Sequence, residues 1–196
     1  MEPDRPTLLS RLPLLVTAPL AQLRTLLGEL CAAAKDDPRT ALHPADVRLE
    51  AGGLRLAEPG PPPPEPDGEV RGYAAPEVNQ RHAELQDPRR ALVYSVAAIA
   101  YHVLTGQAPL SAASQAALVI RQLLEQPAAP SALRPGLPAA VDDVLLSALQ
   151  RDPVARPASV AELGQALDAA LAGAASPVVL ESMPALESMA QAPPTL

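Results

Sequence analysis

The sequence has no phenylalanine and no tryptophan, and only three tyrosines among its 196 residues. Its core must therefore be built from alanine, leucine and valine, which favours closely packed helices over a sheet of aromatic and β-branched residues. Lys35 is the only lysine, so arginine supplies nearly all of the positive charge. A net charge of −7 argues against a basic phosphate-binding face, and we expect no nucleic-acid partner.

Cysteine is almost absent as well. Cys31 stands alone, which excludes an intrachain disulfide and is typical of a reducing cytoplasm, where we expect the protein to reside. The chain has no run of about 18 uninterrupted apolar residues, so we expect no membrane span. The apolar stretch near the N-terminus has acidic residues in front of it and prolines inside it, so we do not expect a secretory signal.

The first part of the chain combines short elements with a proline-rich loop. Residues 12–18, LPLLVTA, favour a short strand, whereas residues 20–35 carry leucines at helical spacing. Residues 47–56, VRLEAGGLRL, predict a hairpin, because the central Gly-Gly pair tolerates the positive φ of a tight turn. Residues 60–68, GPPPPEPDG, predict an extended connector, with docking to a proline-reading module as the alternative.

The second part predicts four helices. Residues 91–105 are apolar almost all round, which is typical of a buried helix, and the glycine that follows favours its C-terminus there. Apolar periodicity predicts three further helices over residues 114–125, 141–149 and 159–171, with a loop over 127–138. The last helix begins with a capping box, a serine followed three residues later by a glutamate.

Residues 174–196 are small, polar and proline-containing, and we expect them to form a disordered tail. The tail contains LESM twice, at residues 180–183 and 186–189. Two interpretations stay open, low-complexity drift or a short partner-binding motif that folds on binding. The residues that would make such a contact are Leu180, Met183, Leu186 and Met189.

Three motifs, in order along the chain, resemble signatures of the protein kinases. Residues 73–77, YAAPE, resemble the end of the kinase activation segment. Residues 93–106, from VYSV to LTG, resemble the central buried helix of the large C-terminal lobe. Asp152-Pro153, followed by Arg156-Pro157, resembles the closing signature of that lobe. The chain is therefore identified as a degenerate kinase-like C-terminal lobe of the bacterial serine/threonine kinase type.

The resemblance implies a mainly α-helical domain with a small β-hairpin. It also implies that the N-terminal lobe is absent, because some 20 residues are too few for its five strands. We therefore expect a leader over residues 1–11, a kinase C-lobe-like domain over residues 12–173 and the tail over residues 174–196.

The resemblance also shows which catalytic parts have changed. Asp46 stands where kinases have the metal-binding asparagine of the catalytic loop, and Arg39-Thr40-Ala41 occupies the region of the catalytic base. Glu58-Pro59-Gly60 replaces Asp-Phe-Gly, and Leu92 replaces the aspartate that holds the catalytic loop. Between Gly60 and Tyr73 there is no serine, threonine or tyrosine to carry an activating phosphate. We expect no catalytic residue, no cofactor and no binding of ATP or Mg²⁺.

A structural contact of the family is retained. Glu77 and Arg156 occupy the positions of a buried ion pair found across the kinases. The resemblance therefore implies that the two residues clamp the segment after the activation loop onto the last helices.

The leading hypothesis is a pseudokinase lobe that acts as a protein-binding, scaffold or regulatory module. Its partner would be another protein or a second copy of the chain. Two candidate contact patches follow from sequence, one at Leu14, Leu15 and Val16, and one at Leu118, Val119 and Ile120.

Two alternatives involve catalysis. In the first, the chain is one half of a split kinase, another chain supplies the nucleotide-binding lobe, and Asp46 or Glu58 holds Mg²⁺. In the second, Cys31 acts with His43 as a nucleophile, although a thiol on the apolar face of a helix is usually inert.

Overall fold

A computed structural model describes residues 7–50, 53–58, 60, 68–79 and 87–173. Pro59, the proline run at residues 61–64 and the tail over residues 174–196 lie outside the described residues, as does the structure predicted for them. Within the described residues, eight α-helices are present: α1 (Leu8–Leu15), α2 (Leu20–Ala34), α3 (Pro76–Asn79), α4 (Pro88–Thr105), α5 (Gln115–Leu124), α6 (Pro130–Leu133), α7 (Ala139–Ala148) and α8 (Val160–Ala172). Two 3₁₀ turns span Pro44–Asp46 and Pro153–Ala155.

Two small antiparallel sheets accompany the helices. Strand β1 (Val47–Glu50) pairs with β2 (Gly53–Leu56), and β3 (Val70–Arg71) pairs with β4 (Ser111–Ala112). Glu50 lies opposite Gly53, whose φ of 121° belongs to the region that favours glycine. The predicted hairpin is therefore confirmed in its described strands.

Helix α4 is the centre of the fold. Asp87 caps its N-terminus by accepting from the backbone N–H of Arg89, and every residue from Ala91 to Thr105 is buried. Gly106 ends the helix in the left-handed conformation, with φ at 78°. The predicted buried helix is confirmed, and helices α1, α2, α6, α7 and α8 all contact it. No helix in the described part of the chain combines the length and apolarity that crossing a membrane requires.

Helices α2 and α8 pack closely at one point. A Cβ atom on Gly164 would lie 2.9 Å from Cys31 Cβ, so the glycine allows the two helices to approach. Ser159 Oγ accepts from the N–H of Glu162, as predicted, but Glu162 in return accepts from Ala158 rather than from Ser159. The predicted start of α8 is therefore confirmed. The returning hydrogen bond of the capping box comes from Ala158, one residue before the predicted donor.

The strand predicted over residues 12–18 is wrong, because this segment belongs to helix α1 and the turn that follows it. Thr7 Oγ1 accepts from the backbone N–H of Ser10 and caps the helix. Leu8 and Leu12, four residues apart, both bury their side chains in the core. This long-range burial outweighs the local strand preference, and the domain boundary predicted at residue 12 falls inside the helix.

The loop predicted over residues 127–138 also contains a helix, α6. Asp142 accepts from both the backbone N–H and the hydroxyl of Ser131, and these two bonds hold the first turn of α6 against α7. Because the partner lies on another helix, the apolar pattern of the loop does not reveal this element.

Glu77 and Arg156 form a bidentate ion pair across the fold. Arg156 Nη1 lies 2.6 Å from Glu77 Oε1, and Nη2 lies 2.9 Å from Oε2. The Arg156 side chain is fully buried, and that of Glu77 is 19% exposed. The pair joins α3 to the segment that leads into α8.

The remaining donors of Arg156 are satisfied by backbone carbonyls. Nε donates to Gln150 O, Nη1 donates also to Arg90 O, and Nη2 donates also to Arg151 O. The guanidinium lies 5.0 Å from the centre of the Tyr94 ring. All five N–H donors of this buried cation therefore have acceptors.

We expect Arg156→Ala to lower the free energy of unfolding by about 3–5 kcal/mol, because it leaves Glu77 without its partner and empties a buried site. Urea denaturation of the purified chain measures this loss. Arg24→Ala is the matched control, since Arg24 forms a similar bidentate pair with Asp168 on the exposed surface. An equal effect of the two substitutions would contradict the role assigned to Arg156.

Candidate functional site

A cavity of about 530 Å³ lies where the segment from Ala41 to Asp46 meets β3 and the start of α5. Its walls are mostly apolar and include Leu42, Val70 and Leu118. The sequence resemblance assigns residues 41–46 to the region of the kinase catalytic loop, so this cavity is the candidate functional site.

Asp46 has a structural task at the cavity edge. It ends the 3₁₀ turn, and its Oδ2 accepts from the backbone N–H of His43 at 2.9 Å. In return, His43 Nδ1 accepts from the N–H of Ala45 at 3.1 Å. The two side chains therefore cap one turn reciprocally. Among the described residues, no hydrogen-bond partner reaches the other carboxylate oxygen, Oδ1.

A buried tyrosine and histidine connect the cavity to the core. Tyr73 Oη lies 2.6 Å from His102 Nδ1, and the His43 ring meets the Tyr73 ring edge-on at 4.9 Å. Burial, with a smaller effect of the Arg71 charge, lowers the pKa of His102 from its usual 6.5 to about 4, and a backbone hydrogen bond at Gly106 opposes this shift slightly. His102 is therefore neutral at physiological pH, and its Nδ1 shares a hydrogen bond with the Tyr73 hydroxyl.

Gln122 positions the segment beside the cavity. Its buried amide donates to Ala74 O at 2.9 Å and accepts from Asn79 Nδ2 at 3.0 Å. The same nitrogen contacts the Tyr94 hydroxyl at 3.3 Å. One side chain of α5 thus holds the YAAPE segment in place. Sequence analysis singled out neither Gln122 nor His102, although a polar residue on the buried face of a helix is a usable signal.

The residues at the other altered kinase positions lie in different surroundings and do not form one site. Glu58 is exposed after β2, Gly60 is exposed at the cavity rim, and Leu92 is buried in the core. Lys35 is exposed beside Asp36. Across the described ranges, no three His, Cys, Asp or Glu side chains are grouped to hold a metal ion.

The two predicted contact patches differ in exposure. Leu14 and Val16 are exposed, whereas Leu15 packs against the core. On α5, Leu118 is buried and Ile120 is 56% exposed, with Val119 between these extremes. Sequence reasoning missed two further exposed residues of α5, Leu123 and Leu124.

Cys31 and His43 lie in different surroundings. The thiol is buried against Gly164 on α8, and burial raises its pKa to about 12. His43 lies at the cavity and contacts Tyr73. Because only the thiolate is a good nucleophile, this arrangement disfavours cysteine catalysis.

Comparison with known proteins gives a consistent result. One segment is 40% identical over 83 residues to the serine/threonine-protein kinase Pkn1 of Myxococcus xanthus, covering 42% of this chain and 12% of the kinase. A segment of 106 residues is 39% identical to PknJ of Mycobacterium tuberculosis, covering 53% of this chain and 18% of that kinase. The crystal structure of the M. tuberculosis PknI kinase domain superposes with a TM-score of 0.64 at 26% identity, over 85% of this chain and 63% of that domain. No protein-family model matches the chain.

The fold is a protein kinase-like C-terminal lobe, with the central helix α4 and the short β1–β2 hairpin. The chain is a kinase-like fragment whose relatives are bacterial serine/threonine kinases. The matched segments span less than a fifth of those curated kinases.

The lowered pKa of His102 predicts that the stability of the fold depends on pH. The unfolded chain takes up a proton on His102 near pH 6.5, whereas the folded chain does so only near pH 4. Folding stability therefore falls by about 3 kcal/mol as the pH drops from 6.5 to about 4, because His102 must take up a proton. Above pH 6.5 this histidine does not change the stability.

Urea denaturation of the unaltered chain and of His102→Gln, at pH values above and below this range, measures this contribution. The difference between the two proteins cancels the carboxylates that titrate in the same range. Parallel pH profiles for both proteins would contradict the assignment.

Proposed function

We propose that this kinase-like lobe is a non-catalytic pseudokinase that acts in the cytoplasm as a protein-binding scaffold or regulatory module. In this proposal the lobe uses neither ATP nor Mg²⁺. Its partner is another protein, or a second copy of the chain.

The residues at the altered catalytic positions support the absence of catalysis. Alanine at position 41 offers no base to an acceptor hydroxyl. The Asp46 carboxylate is engaged in capping its own turn, and a single carboxylate is a poor Mg²⁺ site. Leu92 is packed in the core, where a carboxylate without a partner would be destabilising.

The outer face of α5 is the observation that carries the binding proposal. Ile120, Leu123 and Leu124 are 56%, 42% and 75% exposed on one short helix. The opposite face of the helix is anchored by Leu118 and Gln122, so the apolar side chains cannot turn inward. Clustered exposed aliphatic residues on a rigid helix are typical of a protein contact.

Helix α1 offers a second surface for the same role. Leu14 is 61% exposed and Val16 is 38% exposed. Val16 also packs against Gly106, where an added Cβ would lie 2.6 Å from Val16 Cγ2. The end of α1 is therefore held rigidly against the end of α4, and its exposed leucine is presented from a fixed position. The tail residues Leu180, Met183, Leu186 and Met189 remain a further proposed contact.

A split kinase is the second candidate. The one observation that favours it is the Oδ1 atom of Asp46, which has no partner among the described residues and lies beside the cavity. In that case another chain would supply the nucleotide-binding lobe, the base and the remaining metal ligands. The exposed Glu58 would have to turn toward the same ion.

We expect the double substitution Ile120→Asp/Leu124→Asp to reduce the amount of bound partner by at least about tenfold, because it places charge in an apolar contact. The measurement is quantitative affinity capture from the native cell after cross-linking, with size-exclusion chromatography to follow self-association. Both substituted side chains are exposed, so the melting temperature should change little.

Val154→Asp is the matched control, since Val154 is 73% exposed and lies outside α5. The control should retain every partner. Equal capture by the double variant and the control, with no change in self-association, would contradict a role for this face.

A further inference from the structure

The cavity beside Asp46 offers hydrogen-bond acceptors. Asp46 uses Oδ2 to cap its turn, and its Oδ1 has no partner among the described residues. Asn79 donates through Nδ2 to Ala74 O and to Gln122 Oε1, which leaves its Oδ1 as an acceptor. Both residues line the cavity, so a ligand with N–H donors would complement it.

The charge around the cavity favours the same class of ligand. Among the described residues, Asp46 and Glu69 line the cavity with one cation, Arg71. This described part of the lining therefore has one more carboxylate than it has guanidinium groups. The whole chain has a net charge of −7, which further favours a positively charged ligand.

The apolar walls of the cavity favour a ligand whose own surface is largely apolar. Leu42, Val70 and Leu118 line it together with Ala74. Its volume of about 530 Å³ exceeds what one side chain fills and lies in the ordinary range for small-ligand and peptide pockets. A ligand with one basic group between aliphatic side chains would donate to the carboxylate and amide oxygens and pack against the apolar walls.

The cavity and the face proposed above for protein binding share helix α5. Gln115, the first residue of α5, lines the cavity, and Ile120 lies five residues further along the same helix. At 1.5 Å of rise and 3.6 residues per turn, the two residues are about 7.5 Å apart along the helix axis and about 140° apart around it. A partner that covers the exposed face and continues around the start of α5 would therefore reach the cavity.

We propose that the cavity binds a basic side chain, a lysine or an arginine flanked by aliphatic residues, presented by the protein that covers α5. This inference rests on the proposed function and gives the chemistry of the partner segment. The ammonium or guanidinium group would donate to Asp46 Oδ1 and Asn79 Oδ1, and the aliphatic neighbours would contact Leu42, Val70 and Leu118.

The test uses the full chain and three probes. They are a short labelled peptide with a central lysine between leucines and alanines, the same peptide with norleucine in place of the lysine, and n-hexylamine. Fluorescence anisotropy measures the two peptides, and competition measures the amine. We expect the lysine peptide to bind about tenfold more tightly than the norleucine peptide and to weaken as salt is added.

Asp46→Asn is the matched variant, because the asparagine Oδ1 can still accept from the His43 N–H and preserve the turn. We expect it to remove the preference for lysine while leaving the norleucine peptide and the melting temperature unchanged. The comparison of the two peptides on the unaltered chain does not depend on the folding of any variant.

Three results would overturn the inference. They are equal binding of the two peptides, an unchanged lysine preference in Asp46→Asn, and n-hexylamine that binds as tightly as the lysine peptide, which would indicate a small-amine site. If the lysine preference is absent while Ile120→Asp/Leu124→Asp still loses its partners, the inference about the cavity fails and the proposed function stands.

Discussion

The buried ion pair between Glu77 and Arg156 is the contact on which the other surfaces of this lobe depend. The two residues are 79 positions apart in sequence, and their bidentate contact fastens α3 to the segment that precedes α8. The YAAPE segment in turn lies against α5 through Gln122. A buried pair of this kind need not add net stability, but losing one partner leaves a buried charge. The cavity and the α5 face therefore have fixed positions because this pair is intact.

In the proposed pseudokinase, the residues at two of the catalytic positions have structural uses. Asp46 caps a turn, and Leu92 fills core volume. Each use satisfies a local physical requirement that phosphoryl transfer does not impose. A kinase-like lobe can keep its packing while these positions change, because helix α4 is held by apolar contacts along its whole length.

Local sequence patterns predicted the long helices well, because a buried helix face requires apolar residues that recur at helical spacing. The β1–β2 hairpin and the cap at Ser159 followed from glycine and serine chemistry in the same way. Helix α1 was mistaken for a strand because the burial of Leu8 and Leu12 depends on distant elements. The Tyr73–His102 contact and the bonds of Gln122 join residues 29 and 48 positions apart, so no local pattern reveals them.

We propose that the phosphate-handling positions of this lobe bind no nucleotide. Isothermal titration of ATP with Mg²⁺ tests it directly on the full chain, both alone and purified together with the proteins that remain bound to it from the native cell. We expect no saturable heat in the titration, and no rise in melting temperature, in either preparation. A saturable, Mg²⁺-dependent heat together with a rise in melting temperature would contradict this proposal and favour the split kinase. At a hundredfold excess of ATP over Kd, the added free energy of unfolding would be about 2.7 kcal/mol.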